Sequence, residues 1–185
     1  MVEGKVIIGE NVRVFENAVI RGPVYIGANS VIGNNSLIRE YSHIGSDCVV
    51  GYSTEIKGSY VGDGCCFHMN YIGDSVTGEG CSFGAGTVTA NWRFDEENIT
   101  VNTGDELIDS ERNKLGVIAG NNCKTGVNVS IMPGVKIGAN SIVGPGVYLT
   151  DNLEADKVIF AETVRKSIKN RTQAIHDTEG KPGRG

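Results

Sequence analysis

Between residues 2 and 61 an aliphatic side chain returns every six residues without exception. The positions are Val2, Ile8, Val14, Ile20, Ile26, Ile32, Ile38, Ile44, Val50 and Ile56. An amphipathic helix would repeat near 3.6 residues and a half-buried strand at 2, so this period fits neither. A fixed six-residue period indicates a parallel β-helix, in which short strands and tight turns wind into a stack of coils.

Each six-residue unit supplies one strand and one corner, and three units complete a coil of about 18 residues. The aliphatic side chain points inward, and a smaller inward residue follows four positions later, as at Val6, Val12 and Ala18. Glycine or asparagine at the corner supplies the positive φ that a tight turn requires. Side chains one full coil apart are therefore expected to lie one above the other at the strand spacing of about 4.8 Å.

The composition agrees with a solenoid and excludes several classes of function. The 185 residues include 26 glycines and 6% aromatic residues, which suits glycine corners and a narrow aliphatic core. A net charge of −5 without a basic stripe predicts no nucleic-acid partner. There is no long apolar run and no charged-then-apolar leader, so we expect no membrane segment and a cytoplasmic protein. The five cysteines lack metal-ligand spacing and are predicted to be reduced small core residues.

The sequence predicts one β-helical domain followed by a short extension. We expect a β-helix over residues 1–151 with a protruding loop at 90–116, an extension over 152–172 and a disordered tail over 173–185. Within the extension, residues 157–160 are predicted to form one more strand and residues 161–172 a short basic helix.

The period slips once inside the regular region. Ile72 follows Ile56 two positions sooner than three full repeats require, so the stretch KGSYVGDGCCFHMNYIGD is two residues short. The distorted coil contains His68 and Tyr71. A local irregularity in a regular scaffold often marks a functional site.

His68 is the candidate general base, because a neutral imidazole accepts a proton near neutral pH. His43 lies in a regular repeat and is predicted to be structural. The third histidine, His176, lies in the tail, so the catalytic zinc that some β-helix proteins hold with three histidines is not expected here. We predict no metal site.

Arg39 and Lys57 are separated by three full repeats and each follows an inward isoleucine, so both should project from the same edge of adjacent coils. Two stacked cations suit a phosphate or a carboxylate. Asn91, Trp92, Arg93 and Lys114 flank the loop, where a cleft and ordinary loop polarity are equally good interpretations.

The segments FHMNYIGD (67–74) and FGAGTVTANW (83–92) resemble the acetyltransferase half of the bifunctional N-acetylglucosamine-1-phosphate uridyltransferase/glucosamine-1-phosphate acetyltransferase family. The resemblance runs from about Ile38 to Leu149. It implies a left-handed β-helix, a homotrimer with active sites between subunits, and acetyl-CoA as cosubstrate without a metal. The acceptor would be an amino-sugar 1-phosphate, such as glucosamine-1-phosphate or galactosamine-1-phosphate.

The resemblance also implies roles for individual residues. His68 would be the general base. The sugar phosphate would be bound by Arg39, Lys57, Tyr71 and Ser82. The coenzyme would be bound by Ala85, Asn91, Trp92, Lys114, Val127 and Pro145. Ser82 stands where the family usually has a sugar-binding asparagine, and Val127 and Pro145 replace small residues. These departures fall at implied substrate and coenzyme contacts and leave the implied base, His68, in place.

The family's nucleotidyltransferase domain does not appear in this sequence. The repeat is already in phase at Val2, and an open solenoid end exposes unpaired strand edges. We therefore expect either a portion of a longer protein or an end that a partner caps. Two other interpretations stay open: a non-catalytic domain that trimerises a nucleotidyltransferase, and an acetyltransferase for a nucleotide-linked amino sugar.

Overall fold

The computed structural model describes residues 1–162 and 164–168, and these residues form strands and tight corners without a helix. The strands are β1 Val2–Glu3, β2 Val6–Ile8, β3 Arg13–Val14, β4 Val19–Arg21, β5 Val24–Ile26, β6 Val31–Ile32, β7 Leu37–Ile38, β8 Ser42–Ile44, β9 Val49–Val50, β10 Glu55–Lys57, β11 Tyr60–Val61, β12 Cys66–Phe67, β13 Tyr71–Gly73, β14 Val76–Thr77, β15 Ser82–Phe83, β16 Val88–Thr89, β17 Thr100–Asn102, β18 Leu107–Asp109, β19 Ile118–Ala119, β20 Lys124–Thr125, β21 Ser130–Ile131, β22 Lys136–Ile137, β23 Ile142–Val143, β24 Tyr148–Leu149 and β25 Val158–Ile159.

Three parallel sheets form the walls of the solenoid. Sheet A contains β1, β4, β7, β10, β13, β16, β21 and β24; sheet B contains β2, β5, β8, β11, β14, β19 and β22; sheet C contains β3, β6, β9, β12, β15, β20, β23 and β25. The predicted parallel β-helix of hexapeptide repeats is therefore confirmed. β25 is the strand predicted at residues 157–160. The helix predicted at 161–172 is wrong for residues 161–162 and 164–168, and the rest of that range lies outside the described residues.

The inward aliphatic residues stack in register and fill the core. Ile20, Ile38 and Ile56 are successive Cα partners in sheet A, and each is fully buried. At the first coil Val2, Ile8 and Val14 hold the same inward positions but are 55%, 42% and 42% exposed. Burial of stacked aliphatic side chains on all three walls is the main stabilising term in such a solenoid.

The three corners differ in regularity. We call them the A–B, B–C and C–A corners after the sheets that they connect. At every B–C corner the residue with positive φ comes third after the inward residue; these residues are Asn11, Asn29, Asp47, Gly64, Gly80, Asn122, Asn140 and Asp156. Asn11 donates to Asn29, and Asn29 donates to Asp47, at 3.2 Å each. This edge of the molecule is a uniform ladder.

The predicted phase slip is confirmed, and it lies at the other two corners. Ile56 pairs directly with Ile72, so the coil between them is two residues shorter than the one from Ile38 to Ile56. The residue with positive φ comes second rather than third after Ile56 (Gly58), after Phe67 (Met69) and after Ile72 (Asp74). Each short corner removes one residue from a coil. The irregular corners therefore flank sheet A on both sides at the level of β10 and β13.

The protruding loop between β16 and β19, which we call the excursion, is an insertion at the next A–B corner. Thr89 pairs with Ile131, so this coil is longer than a regular one by the length of four repeats. β17 and β18 form an antiparallel hairpin within it. Ile99 is 1% exposed, and Asn152 donates a hydrogen bond of 2.8 Å to the carbonyl of Asn102. The excursion thus folds back against the solenoid.

His43 lies in a stack of rings on the outer face of sheet B. Its ring is 4.8 Å from that of Tyr25 and 4.6 Å from that of Tyr60, and the planes are nearly parallel. This packing accounts for His43 without a chemical role. Within residues 1–162 and 164–168, no helix has the length and hydrophobicity that crossing a bilayer requires.

Candidate active site

The first group of candidate residues is a connected cluster at the A–B corner. The Lys57 ammonium donates to both carboxylate oxygens of Asp74, at 2.8 and 2.6 Å. The side-chain amide of Asn91 donates to the same carboxylate and to the Tyr71 hydroxyl, which lies 3.2 Å away. Four side chains from three coils are thereby joined. We call Lys57, Tyr71, Asp74 and Asn91 the Lys57 cluster.

Two glycines leave the room that this cluster occupies. A Cβ at Gly73 would lie 2.6 Å from the Tyr71 hydroxyl and 2.7 Å from the Asn91 amide nitrogen. A Cβ at Gly58 would lie 2.7 Å from a carboxylate oxygen of Asp74. Real Cβ atoms are essentially never found at such distances, so the cluster depends on the absence of these two side chains.

Arg39 lies beside Lys57, as their separation by one full coil predicts. The pairing of Ile38 with Ile56 places the two cations at the same edge of neighbouring strands. Arg39 donates to Glu55 at 2.9 Å, and its guanidinium lies 3.8 Å from Glu40. The hydrogen bond to Glu55 raises the pKa of Arg39 above its ordinary value, so this residue stays charged.

The structure also shows something that the spacing does not predict, namely that both cations are paired. Arg39 and Lys57 face three carboxylates, those of Glu40, Glu55 and Asp74. Since the carboxylates outnumber the cations, the local charge is not positive. A phosphate at this edge would need Arg39 or Lys57 to exchange a carboxylate for it, or a further donor from outside the cluster.

His68 lies at the opposite side of sheet A, at the shortened C–A corner. It follows β12 of sheet C, and its backbone N–H donates to the side chain of Asn70. Asn70 is buried and donates to the carbonyls of Gly84 and Thr87, at 2.8 and 3.1 Å. The buried Asn70 amide therefore fixes the backbone of this corner, which is one residue shorter than a regular one. The His68 ring stays exposed.

The His68 ring lies within hydrogen-bond range of the thiol of Cys66. Nε2 of His68 lies 3.4 Å from Sγ of Cys66, and either atom can be the donor, depending on the tautomer. Burial raises the pKa of the Cys66 thiol above its ordinary value, and the nearby Cys65 adds to the shift. The thiol is thus protonated near neutral pH and can donate to an unprotonated imidazole nitrogen. Cys66 and Asn70 are neighbours of His68 that the sequence analysis did not identify.

Three of the predicted coenzyme residues stack above this corner along the axis of the solenoid, and we call them the coenzyme column. The carbonyl of Met69, next to His68, accepts from the N–H of Gly86 at 3.1 Å. The carbonyl of Ala85 accepts from Asn128, and that of Val127 accepts from Gly146. Ala85, Val127 and Pro145 therefore occupy equivalent positions in successive coils. Val127 is 50% exposed, so this edge is open to an extended ligand.

Ser82 lies on the outer face of sheet C, between Cys66 and Lys124. Its Cα partners are these two residues, one in each neighbouring coil. It is therefore near the His68 corner and not part of the Lys57 cluster. Among the described residues, no hydrogen bond joins its side chain to His68.

Trp92 and Lys114 lie at the root of the excursion, where they form an isolated antiparallel bridge. The N–H of Leu115 donates to the carbonyl of Asn91 at 3.0 Å, so the root is tied to the Lys57 cluster. Trp92 is 43% exposed, and Lys114 is exposed. These two residues belong to the A–B side of the site.

The candidate residues thus fall into two groups in one chain. The A–B group comprises Arg39, Lys57, Tyr71, Asn91, Trp92 and Lys114, and the C–A group comprises His68, Ser82, Ala85, Val127 and Pro145. No hydrogen bond or ion pair between described residues joins His68 to the Lys57 cluster. Within that same part of the chain, no group of three or more His, Cys, Asp or Glu side chains is arranged to hold a metal ion.

Asp74 is the main residue that the sequence analysis missed. The signal that could have revealed it is the shortened step from Ile72 to Thr77, which places an aspartate at an irregular corner. Aspartate is common at corners with positive φ, so its type alone did not distinguish Asp74 from a structural corner residue.

Comparisons with known proteins agree with this picture of the fold. Residues 5–40 and 117–151 match the family model described as bacterial transferase hexapeptide (six repeats). The chain is 46% identical over 109 residues to the bifunctional protein GlmU of Methanococcus aeolicus, covering 58% of this chain and 26% of that protein. It is 42% identical over 120 residues to GlmU of Methanococcus maripaludis strain C7, covering 64% of this chain and 29% of that protein.

A third relative is the bifunctional sugar-1-phosphate nucleotidylyltransferase/acetyltransferase of Sulfurisphaera tokodaii, which is 47% identical over 98 residues. That match covers 52% of this chain and 24% of the relative. The chain therefore spans roughly a quarter of the length of the curated relatives that it matches. The resemblance predicted from residues 67–74 and 83–92 is confirmed by these names.

Proposed function

We propose that this chain, which carries the hexapeptide repeats of bacterial transferases, is an acetyl-CoA-dependent N-acetyltransferase for an amino-sugar 1-phosphate. The observation that carries the proposal is the shortened coil from Ile56 to Ile72. Its two irregular corners present the Lys57 cluster on one side of sheet A and His68, with the coenzyme column, on the other. The name of the Sulfurisphaera tokodaii relative, a sugar-1-phosphate nucleotidylyltransferase/acetyltransferase, supports a sugar 1-phosphate as the acceptor.

Arg39 and Lys57 would bind the phosphate of the acceptor. Arg39 would exchange one carboxylate contact for a phosphate oxygen, whereas Lys57 would keep Asp74 and offer its remaining N–H to the phosphate. Tyr71 would contact the sugar beside them. Because a bound phosphate fixes the sugar, the amine would meet the thioester in a productive geometry. Lys114, at the root of the excursion, would supply a further positive charge next to the cluster.

His68 would act as the general base of a direct transfer. The C2 amine of the sugar attacks the thioester carbonyl carbon, and His68 accepts a proton from the nitrogen as the C–N bond forms. The C–S bond then breaks, and the sulfur of coenzyme A leaves with that proton. The products are the N-acetylated sugar phosphate and the free thiol, with no acyl-enzyme.

The oxyanion of the tetrahedral intermediate needs a donor near the coenzyme column. The Asn91 amide already donates to Asp74 and Tyr71. Within the described residues, the N–H of Ala85 donates to no other backbone or side-chain group. This backbone group is the better placed donor for the oxyanion.

The proposal includes assembly into a homotrimer with active sites between copies. In one chain the base and the phosphate residues lie at different corners of the solenoid, so a neighbouring copy would bring the two groups together. The bifunctional names of the relatives also suggest that a nucleotidyltransferase domain accompanies this portion, with the product used for UDP-sugar synthesis.

Two observations favour an alternative acceptor. Three carboxylates compensate Arg39 and Lys57, and Ser82 replaces a sugar-binding asparagine of the family that the sequence resembles. An acetyltransferase for a nucleotide-linked amino sugar would not need this pair of cations. A non-catalytic trimerisation domain is the other candidate, and saturable binding of coenzyme A distinguishes it from both enzymes.

The test is a thiol-release assay with acetyl-CoA and three acceptors in parallel: glucosamine-1-phosphate, galactosamine-1-phosphate and glucosamine. We expect turnover with the phosphates only, its loss in His68→Ala and its retention in His43→Ala, the matched control on the ring stack of sheet B. Turnover of a nucleotide-linked amino sugar alone would favour the alternative acceptor. Silence with every acceptor, in a folded and trimeric protein, would refute the enzymatic proposal.

A further inference from the structure

Asp74 connects two residues that the family resemblance assigns to two different ligands. Its carboxylate accepts two hydrogen bonds from Lys57, an implied phosphate residue, and one from Asn91, an implied coenzyme residue. Asn91 in turn donates to Tyr71. Asp74 therefore forms hydrogen bonds with one residue from each of the two implied sets.

The surroundings of Asp74 hold this carboxylate in place. The side chains of Lys57 and Asp74 are only 20% and 18% exposed. The backbone N–H of Asp74 donates to the carbonyl of Lys57 at 2.7 Å, and its carbonyl accepts from Gly116, where the excursion returns, at 2.8 Å. Its φ of 47° belongs to a region that aspartate and asparagine tolerate better than most residues.

We propose that Asp74 is a positioning residue for acetyl transfer, which aims the Lys57 ammonium at the acceptor phosphate and orients the Asn91 amide towards the coenzyme. This inference rests on the proposed function. Asp74 contacts neither substrate, and it acts by fixing two residues that do.

The physical reason lies in the flexibility of lysine. A lysine ammonium is a compact charge on a four-carbon stem with many rotamers, so an unrestrained Lys57 would sample many positions. A bidentate, charge-assisted contact selects one of them. The same carboxylate decides which end of the Asn91 amide faces it, because only the NH₂ end can donate to it. Binding groups held in place beforehand avoid the entropic cost of ordering them when the substrate arrives.

The test compares Asp74→Asn with Asp47→Asn. Asparagine keeps the size of Asp74 and its tolerance of positive φ, but loses the charge and one acceptor oxygen. Asp47 is the matched control, because it also has a positive φ at a corner, 56°, and accepts from an asparagine of the neighbouring coil, Asn29. We expect Asp74→Asn to raise the KM for the sugar phosphate and for acetyl-CoA, and to lower kcat/KM by about 10- to 100-fold. Asp47→Asn should leave all three values within about twofold of the wild type.

A readout that does not need turnover separates this inference from the proposed function. Trp92 is the only tryptophan of the chain and directly follows Asn91. Loss of the Asn91 contact should loosen the excursion root, so Asp74→Asn should shift Trp92 emission to the red and increase its quenching by acrylamide. Asp47→Asn should change neither quantity.

The outcomes are distinct. If the wild type turns over no acceptor, the proposed function fails, and the Trp92 signal still decides whether Asp74 orients the root. If Asp74→Asn lowers the melting temperature but leaves both KM values and Trp92 unchanged, Asp74 is only structural. A lower KM for the sugar phosphate would show that Asp74 competes with the phosphate for Lys57, and would also overturn the proposal. In an Asn91→Ala background, Asp74→Asn should have almost no further effect on Trp92 emission, because the contact that transmits the change is already absent.

Discussion

At the scale of single residues, the candidate site depends on glycines, whose lack of a side chain leaves room for its polar groups. The glycine at position 73 is the Cα partner of Lys57, and its missing Cβ leaves the space over which Tyr71 and Asn91 meet. The atoms that would obstruct a Cβ here belong to side chains and not to the backbone. This position can therefore separate function from stability.

We expect Gly73→Ala to reduce acetyl transfer by about 10-fold or more while changing the free energy of unfolding by less than about 1 kcal/mol. The new methyl group would push Tyr71 and Asn91 away without moving the solenoid backbone. Kinetic assays and urea unfolding of the same preparation measure the two effects.

Gly84→Ala is the contrasting variant. A Cβ there would lie 2.5 Å from the backbone oxygen of Gly126, so the strands themselves would have to move apart. We expect it to destabilise the protein by about 2 kcal/mol or more. If Gly73→Ala destabilises the protein as much as Gly84→Ala does, the space beside Gly73 serves the fold and not the site.

The sequence could predict which cations are neighbours but not what they bind. The stacking of Arg39 on Lys57 follows from the period of the coil alone. Their pairing with Glu55 and Asp74 depends on side-chain directions at a corner from which a residue is missing, and the period says nothing about such a corner. His68 could be chosen because it lies in that distorted coil, but its contacts with Cys66 and Asn70 could not be foreseen.

At the scale of one structural element, the inner edge of the B–C corner is a column of small hydrogen-bond donors. The column contains Ser30, Cys48, Cys65, Cys81, Cys123 and Ser141. Each side chain donates to a corner carbonyl of the following coil, as Ser30 does to Gly45 at 2.9 Å and Cys81 to Gly120 at 3.1 Å. The cysteines therefore make the same hydrogen bond as the serines. This bond explains the four buried thiols without a disulfide or a metal.

This shared hydrogen bond gives a prediction for Cys81. Cys81→Ser should leave the free energy of unfolding within about 0.5 kcal/mol of the wild type, because the hydroxyl can still donate to the Gly120 carbonyl. Cys81→Val should cost about 1 kcal/mol or more, because that carbonyl loses a partner in the interior. Urea unfolding followed by circular dichroism measures both.

Cys66→Val is the control, since Cys66 faces outward in sheet C and donates to no corner carbonyl. If Cys81→Val and Cys66→Val cost the same, the carbonyl contact does not explain the column.

The strands of this chain could be predicted where the six-residue period holds and not elsewhere. The six-residue period predicts all three sheets, and their register follows from it because each coil repeats the one before. The hairpin of β17 and β18 has no such repeat, and the charged composition of the excursion only indicated that it leaves the solenoid. The helix predicted after residue 160 rested on local composition without a packing partner, and the described residues there do not form it.

At the scale of the whole molecule, the solenoid separates the residues that the chemistry needs. Lys57 closes a strand of sheet A at the A–B corner, whereas His68 precedes the next strand of that sheet at the C–A corner. A rigid wall of paired strands lies between them, so they cannot be brought together by bending one chain. In the proposed trimer, contact with a second copy of the chain would solve this problem, because a neighbour would present its C–A corner to the first copy's A–B corner.

Mixed trimers test this arrangement directly. His68→Ala and Lys57→Ala should each be inactive alone, but trimers that contain both variants should recover about a third of the wild-type activity. A productive interface needs an intact Lys57 from one copy and an intact His68 from its neighbour, and one interface in each mixed trimer meets both conditions. Thiol release by co-expressed trimers that carry two affinity tags, purified in tandem, measures the restored fraction. If such mixed trimers form but stay inactive, His68 and Lys57 must act within one chain, and the proposed intersubunit site is wrong.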